Sequence, residues 1–532
     1  MRSQLVFVVS RNTLYIDVLK LISTRGKEAS IWYINLRSKG VRGDLMKSSV
    51  LAVSILFFTL WGSACSSLSL KNTEHGKYNI LFISMDTFRA DRLGVYGNQK
   101  HLSPQIDEFA EESIVFRNAF VQSPYTLPSH ISMLSGVAPD QHKIWLPSFY
   151  PLPTQREDPL TIGTSRPWFD KKTYEVVSPR IRMLAEILKE NGYSTAWFAN
   201  SMDSFLDVSR GFSRGFDEIY PRGVDSQVGL DTFLSWLDQK DSTQDQKRFF
   251  AFVHTKRAHL PYIIPDDIYD SYEPLKGYHG KVLGKESDFL RSLDGINKEV
   301  RKTLLENPKI LRRGVEFGID DEYLFTKNFK YEKQDIEYVK NLYDASVKSI
   351  DESIAAILYK LEMKGLKDST IVIITSDHGE ELFENGSLGH GFSLSENAVH
   401  VPLIIYVPGA KSGKVDALAQ SIDIAPTLLD LTNIPSPVSI QGKSLLSYLH
   451  DPKNKNETNE YVSGSLFWTK DNYQAYLRNQ KWKFISNFSQ KVESLYDIQN
   501  DPGEQVNLIH DHPIIAEHMR SVLSELVLVP KK

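Results

Sequence analysis

Ile371-Val372-Ile373-Ile374-Thr375-Ser376-Asp377-His378-Gly379-Glu380 decides the fold of this chain. Its first half is a run of β-branched side chains, the composition of a strand buried on both faces. The run stops at a carboxylate and an imidazole, and open α/β sheets gather their chemistry at the carboxyl ends of their strands. A second apolar run, Asn79-Ile80-Leu81-Phe82-Ile83-Ser84-Met85, ends in the same way at Asp86. Two strand tips far apart in sequence, each carrying an acid, predict one shared cation site.

Outward from these runs, strand and helix patterns alternate. Helices are predicted near 104–112, at 129–134 and at 181–190, the last ending toward a C-cap candidate, Gly192. Strands are predicted at 79–85, 194–199, 249–254, 370–375 and 401–407. A long amphipathic helix is predicted over 337–364, with Tyr343, Val347, Ile350, Ile354 and Leu358 on one face. Such alternation gives an α/β fold: a mostly parallel sheet with helices on both faces. Residues 263–336 break the rhythm with charge, Tyr and Gly; they read as an insertion or lid, more a solvated surface than a site. In 451–532, strand patterns at 473–477, 482–485 and 494–496 and a helix at 513–526 predict a small C-terminal antiparallel sheet subdomain.

The 532 residues are 41% hydrophobic, enough for a large core and about two domains. A net charge of -4 and the lack of a basic tract with interleaved aromatics speak against a nucleic-acid partner. The single cysteine, Cys65, rules out a disulfide framework. It follows a basic start at Lys47, an apolar run over 48–61 and Gly62-Ser63-Ala64, the plan of a secretory signal over 46–65. The segment resembles a bacterial lipoprotein box, with Gly62 where Leu is commoner; the alternative is an uncleaved signal anchor in the membrane. The expectation is a bacterial cell-envelope protein, periplasmic or surface-exposed, lipid-anchored through Cys65. Residues 66–77 would then be a tether, 78–450 the catalytic domain, and 1–45 a mis-translated leader ahead of Met46.

Five stretches carry chemistry. Asp86 is a hard oxygen ligand at a strand tip, suited to Ca²⁺, Mg²⁺ or Mn²⁺ and acceptable to Zn²⁺, or else a helix cap; Arg89 and Asp91 nearby are placed to pair across the loop. Thr126, in Tyr125-Thr126-Leu127-Pro128-Ser129-His130, offers a hydroxyl at a helix start, where unpaired N–H groups favour an anion. It reads as a nucleophile or as an ordinary N-cap, a role Ser129 would fill equally. Asp377-His378 reads as a metal-binding pair. His254 and His259, beside Lys256 and Arg257 after a strand, form an anion-binding edge or are structural. His390 lies between Gly389 and Gly391, which lets its ring approach a ligand or simply makes a turn.

Taken in order, these stretches resemble the sulfatase family, within the alkaline phosphatase superfamily. The likeness runs from 78 to 526 through 79–97, Ser103-Pro104-Gln105-Ile106-Asp107, Phe116-Arg117-Asn118-Ala119-Phe120 and 126–136. It continues through Tyr343-Asp344-Ala345, 375–380, Val401-Pro402-Leu403-Ile404-Ile405, Asp423-Ile424-Ala425-Pro426-Thr427 and Gln441-Gly442, then the tail from Leu495-Tyr496-Asp497 to Asn507-Leu508. The resemblance implies Asp86, Asp377 and His378 as ligands of a divalent metal (Ca²⁺, Mg²⁺, Mn²⁺ or Zn²⁺) and Thr126 as metal-touching nucleophile. It implies His259 as a substrate-binding histidine, and His390, near the family's substrate-contacting lysine, in anion binding or leaving-group protonation. His130, His254, Lys256 and Arg257 join as substrate-binding candidates.

Three positions depart from the family pattern. Thr87 stands where a second acid is usual, His130 replaces a helper arginine, and Asn200-Ser201 replace a Lys-Trp-His segment. Sulfatases use a Cys or Ser oxidised to formylglycine, and the Cβ methyl of Thr126 bars that aldehyde. Superfamily relatives that transfer phosphoryl groups use an unmodified threonine. The reading is therefore a metal-dependent hydrolase of an anionic ester (glycan, lipid headgroup or small molecule), with phosphoester hydrolysis or headgroup transfer favoured. The slot before His259 holds Thr255 rather than Asp, so a complete second metal site of the relatives' kind is not expected. Sulfuric ester hydrolysis and a non-catalytic anion-binding lipoprotein are the alternatives.

Overall fold

The computed structural model describes residues 5–10, 13–18, 78–144, 177–199, 211–240, 247–280, 282–287, 331–454, 459–469 and 472–527. The signal over 46–65, the tether over 66–77, Asn200-Ser201 and 288–330 lie outside the described residues. So does most of 1–45, apart from an antiparallel hairpin, Leu5–Ser10 with Thr13–Val18. Contacts divide the chain into Met1–Glu74 and His75–Lys532. No helix among the described residues is long and apolar enough to cross a membrane.

The second unit is built on β1 (Asn79–Met85), α1 (Pro104–Glu111), β2 (Ile114–Phe120), α2 (Thr126–Ser135), α3 (Leu184–Glu190), β3 (Ser194–Phe198), β4 (Glu218–Tyr220), α4 (Gln227–Asp238) and β5 (Phe249–Thr255). It continues with α5 (Lys333–Met363), β6 (Thr370–Ser376), β7 (His400–Tyr406), β8 (Gly413–Gln420) and α6 (Ile424–Leu431). Eight strands form one sheet in the order β8-β2-β7-β6-β1-β5-β3-β4. β1 lies between β6 and β5, parallel to both, with Met85 opposite Ser376 and Thr255. Those registers set the tips carrying Asp86, Asp377 and His254 side by side.

β7 breaks the parallel rhythm expected of it. It runs antiparallel to β6 and β2. Parallel neighbours need a crossover connection. Here the chain leaves β6, makes a short ribbon (Glu381–Leu382 with Leu388–Gly389) and re-enters the sheet from the same end. The detour keeps 377–399, and His390 with it, at the chemical edge of the sheet.

Both faces of the sheet are buried, so each strand shares its side chains between two cores. Leu81, Ile83, Val372, Ile374, Ala251 and Val253 meet Tyr343, Val347, Ile350 and Ile354 of α5 in one core. Ile80, Phe82, Ile371, Ile373, Phe250 and Phe252 meet Leu127, Ile131 and Leu134 of α2 in the other. In the described part of 263–287, Ile264, Ile268, Leu275 and Val282 pack into the α5 core, while Asp267, Asp270, Glu273, Lys276 and Glu286 are exposed. At the C-terminus β9 (Val462–Thr469), β10 (Asn472–Arg478), β11 (Trp482–Asn487) and β12 (Val492–Asp497) make a four-stranded antiparallel sheet covered by α7 (Pro513–Leu526).

Candidate active site and metal centre

The period of two that fills the α2 core also aims the site. Counting on from Ile80 and Phe82, Phe250 and Phe252, and Ile371 and Ile373, the same face receives Ser84 and Asp86, His254, and Asp377. These polar ends meet the start of α2. The helix opens at Thr126, three residues before the expected 129, because Pro128 sits in the first turn, where a missing N–H costs nothing. The N-cap is Tyr125, with no side-chain cap bond, so neither Thr126 nor Ser129 is the ordinary cap. Their hydroxyls go to the site: Ser129 Oγ donates to Asp377 O (2.5 Å) and Thr126 Oγ1 lies 3.2 Å from His378 Nε2.

Asp86, Asp377 and His378 offer donor atoms within 4.8 Å of one another, all fully buried. His378 Nε2 is 3.8 Å from Asp86 Oδ1 and 3.5 Å from Asp377 Oδ2. Its Nδ1–H donates to Gly379 O (2.9 Å), which leaves the Nε2 lone pair facing the carboxylates, the tautomer a metal ligand needs. Both oxygens of Asp86 and Oδ2 of Asp377 have no hydrogen-bond partner. Buried carboxylate oxygens are rarely left so, and a divalent cation accounts for all three. The residues present fit such an ion.

Burial sets the protonation. It raises Asp86 well above the ordinary carboxylate range, with the neighbouring Asp377 adding to the effect. It carries Asp377 to about 7 against hydrogen bonds from the backbone N–H groups of Thr87 and His378. Burial lowers His378 to about 4 and His130 to about 3, and takes His254 and His259 well below their usual value. The imidazoles are neutral, with lone pairs to give.

His130 does not replace the charge of an arginine. Its Nδ1–H donates to Thr126 O (2.8 Å) and its Nε2 accepts from Ser84 Oγ (2.8 Å), so it braces α2 against β1. His259 and His390 lie to the side, their rings 5.0 Å apart, with His390 4.4 Å from the ring of His378. Gly389 (φ +103) and Gly391 (φ +78) allow that approach. Burial lowers His390 to about 3, and the charge of Lys256 adds to the lowering of His254, His259 and His390. Arg257 turns away: its guanidinium donates to the Asp225 and Ile263 carbonyls, so it joins no anion site.

Several residues had no role in the sequence reading. Glu380, fully buried, sets its Oε1 3.1 Å from His390 Nδ1. The signal was its place two residues after His378. Thr87 holds φ +57, unusual for a β-branched residue; its N–H donates to Asp377 Oδ1 (3.2 Å) and its hydroxyl to Ala258 O (2.6 Å). Tyr343 on α5 donates to Thr87 O (2.7 Å) and accepts from Arg89 N (3.0 Å). Arg89 and Asp91 pair at 2.7 Å, as expected, and Arg89 also reaches Glu384 at 2.7 Å. A Cβ on Gly379 would lie 1.9 Å from Asn397 O, so the position after His378 admits only glycine without a shift.

Compared with known proteins, residues 78–434 match the family model described as Sulfatase, which covers more than half of the chain. The chain belongs to the sulfatase family. It is accordingly a hydrolase of an anionic ester. A second model, N-sulphoglucosamine sulphohydrolase, C-terminal, matches residues 390–528. Among curated sulfatase-family relatives, Arylsulfatase K of Bos taurus is 25% identical over 85% of this chain and 82% of its own length. The Delta 4,5-hexuronate-2-O-sulfatase of Bacteroides thetaiotaomicron is 24% identical over 85% of this chain and 89% of its own. The crystal structure of the phosphonate monoester hydrolase of Agrobacterium radiobacter shares the sulfatase fold with a TM-score of 0.64, at 18% identity, over 84% of this chain and 95% of that one.

Proposed function

We propose that the chain hydrolyses an anionic ester through Thr126, with phosphoryl esters preferred to sulfuryl ones. The observation that carries this reading is the Thr126 hydroxyl at the first turn of α2, 3.2 Å from His378 Nε2 and beside the partnerless oxygens of Asp86 and Asp377. Asp86, Asp377, His378 and Thr126 would hold the divalent ion, which when bound lowers the pKa of a ligating hydroxyl and offsets negative charge on the ester. Thr126 Oγ attacks phosphorus in line as the ester oxygen departs. N–H groups at the start of α2 face the anion. His390, with His259 beside it, takes up through Nε2 the proton that Thr126 loses and passes it to the departing oxygen. Glu380 holds the His390 ring by Nδ1, presenting Nε2 to the pocket. Water then attacks the phosphothreonine and Thr126 regains its proton.

Preference for phosphorus follows from the methyl group of Thr126. Without a formylglycine hydrate, release depends on attack at the central atom, the route phosphoryl groups take. The names of the matched relatives favour sulfate esters as the second reading, and the glycan-directed ones support a carbohydrate ester as substrate class. Paired 4-nitrophenyl phosphate, phenylphosphonate and sulfate esters test it. Faster sulfate turnover by enzyme whose Thr126 is unmodified by mass spectrometry would overturn the preference. The same reading places the protein in the cell envelope with lipid on Cys65; intact-mass analysis of the native protein checks this, and an unacylated Cys65 would refute it.

A further inference from the structure

We propose that Lys483 is a positioning residue for the hydrolysis, seated in a buried cluster of four charges through which the C-terminal sheet fixes the chain after β6. The inference rests on the reading that Glu380 orients His390 in ester cleavage. Lys483 on β11 is fully buried, and its cross-strand partner is Arg478 at the end of β10. Lys483 Nζ lies 3.1 Å from Glu396 Oε1 and 2.8 Å from Glu504 Oε1. Arg478 Nε donates to both oxygens of Glu396 (3.3 and 3.2 Å). Glu504 closes the ring: its Oε2 accepts from the backbone N–H of Glu396 (2.7 Å). The side chains of Arg478, Glu396 and Glu504 are at most 12% exposed, so two cations and two anions balance one another out of water. The 495–508 tail delivers Glu504 at φ +55, a conformation uncommon outside glycine.

The second observation is what Glu396 begins. It opens the short helix Glu396–Val399, and two carbonyls of that helix hold the catalytic loop. Asn397 O accepts from Glu380 N (3.1 Å) and Ala398 O from Gly379 N (2.9 Å). Gly379 O in turn takes the Nδ1–H of His378, and Glu380 Oε1 takes that of His390. A Cβ on Gly379 would meet Asn397 O at 1.9 Å, so the loop has no slack on the helix side. The far end of the helix is tied to the main sheet, where Val399 O accepts from Val121 N (3.0 Å). Its middle is tied by Arg89, which donates to Asn397 Oδ1 (2.8 Å). The near end is tied to the C-terminal sheet by the charge cluster. Withdrawing Lys483 leaves the carboxylates of Glu396 and Glu504 facing each other without the ammonium they share. The start of the helix then shifts, and the carbonyls that set His378 and His390 shift with it.

The test compares full-length Lys483→Met with the parent. Hydrogen exchange, resolved to single amides by electron-transfer fragmentation, is read beside steady-state kinetics on phenyl phosphate and 4-nitrophenyl phosphate. In the variant the Gly379 and Glu380 amides should exchange about tenfold faster or more, while those of β1 keep the parent rate. The kcat should fall about tenfold with phenyl phosphate and much less with 4-nitrophenyl phosphate, with KM held within twofold. Unchanged amides at 379 and 380, an unchanged kcat, or an equal loss on both esters overturns the proposal. Where Lys483→Met fails to fold by circular dichroism, Lys483→Met combined with Glu504→Gln removes one charge of each sign and carries the same expectation. A parent that turns over neither ester refutes the ester-cleavage reading alone, and exchange at 379 and 380 then decides the clamp by itself.

Discussion

Replacing Asp377 by Asn isolates the electrostatic load of the pocket floor. Burial raises Asp377 from 3.8 to about 7. A carboxyl raised on folding holds its proton more tightly in the folded chain. As pH climbs past 3.8 the unfolded chain ionises and the folded chain does not, so stability is lost progressively until about pH 7 and stays lost above it. At 1.36 kcal/mol per pH unit the loss is about 4 kcal/mol. The amide of Asp377→Asn would keep an oxygen for the Thr87 and His378 N–H groups but cannot ionise.

In chelator, therefore, Asp377→Asn should gain on the parent by about 4 kcal/mol between pH 4 and pH 8. Unfolding entropy for a unit the size of His75–Lys532 is roughly 1 kcal/mol per degree, so the Tm gap should widen by about 4 °C. The lowered histidines, among them His378 and His130, favour the folded chain as pH rises toward 6.5, but they do so in both proteins and largely cancel in the difference. Thermal unfolding of both proteins across that range measures it. A divalent ion at about a hundred times its Kd should then stabilise the parent by about 2.7 kcal/mol and the variant by far less. A gap that stays constant from pH 4 to pH 8 would refute the burial argument, and with it the idea that this floor demands a cation.

Further expectations follow from single side chains. Thr126→Ala should lower kcat by about a thousandfold or more while Thr126→Ser keeps most of it, read by steady-state kinetics on an aryl phosphate. Glu380→Gln should cost roughly a hundredfold with poor leaving groups and much less with 4-nitrophenol, if the carboxyl orients His390. Tyr343→Phe leaves the buried Thr87 carbonyl and Arg89 N–H short of a partner and should destabilise by about 2–4 kcal/mol in urea unfolding. Arg257→Ala should leave KM for a phosphate ester unchanged within twofold, since its guanidinium serves carbonyls.

The sequence was legible wherever burial was two-sided. β1, β5 and β6 are buried throughout and mostly apolar because helices cover both their faces, and the runs 79–85, 249–254 and 370–375 match them closely. β2 is broken by Arg117 and Asn118, which reach outward to Asp416, and was visible only through its likeness to the family. β8, with Lys414 and Asp416 exposed at the sheet edge, carries no apolar run to read. Most site residues were legible because strand tips and glycine-flanked histidines are local signals. The roles of His130, Arg257 and Glu380 depend on partners far off in sequence, Ser84, Asp225 and Tyr262 among them, and no spacing reports those.

The departures at Thr87 and His130 are best understood together. The family pattern would set a second carboxylate after Asp86 and an arginine on α2. Here the Thr87 side chain points between the carbonyls of Ala258 and Asp86, to which a hydroxyl can donate and a carboxylate cannot. His130, lowered to about 3 by burial, brings no positive charge. Thr87 withholds one negative charge and His130 one positive charge from the same floor. An arginine restored at 130 alone would sit against Asp377 with a surplus charge and compete with any cation there. An acid restored at 87 alone would add a carboxylate facing two carbonyl oxygens.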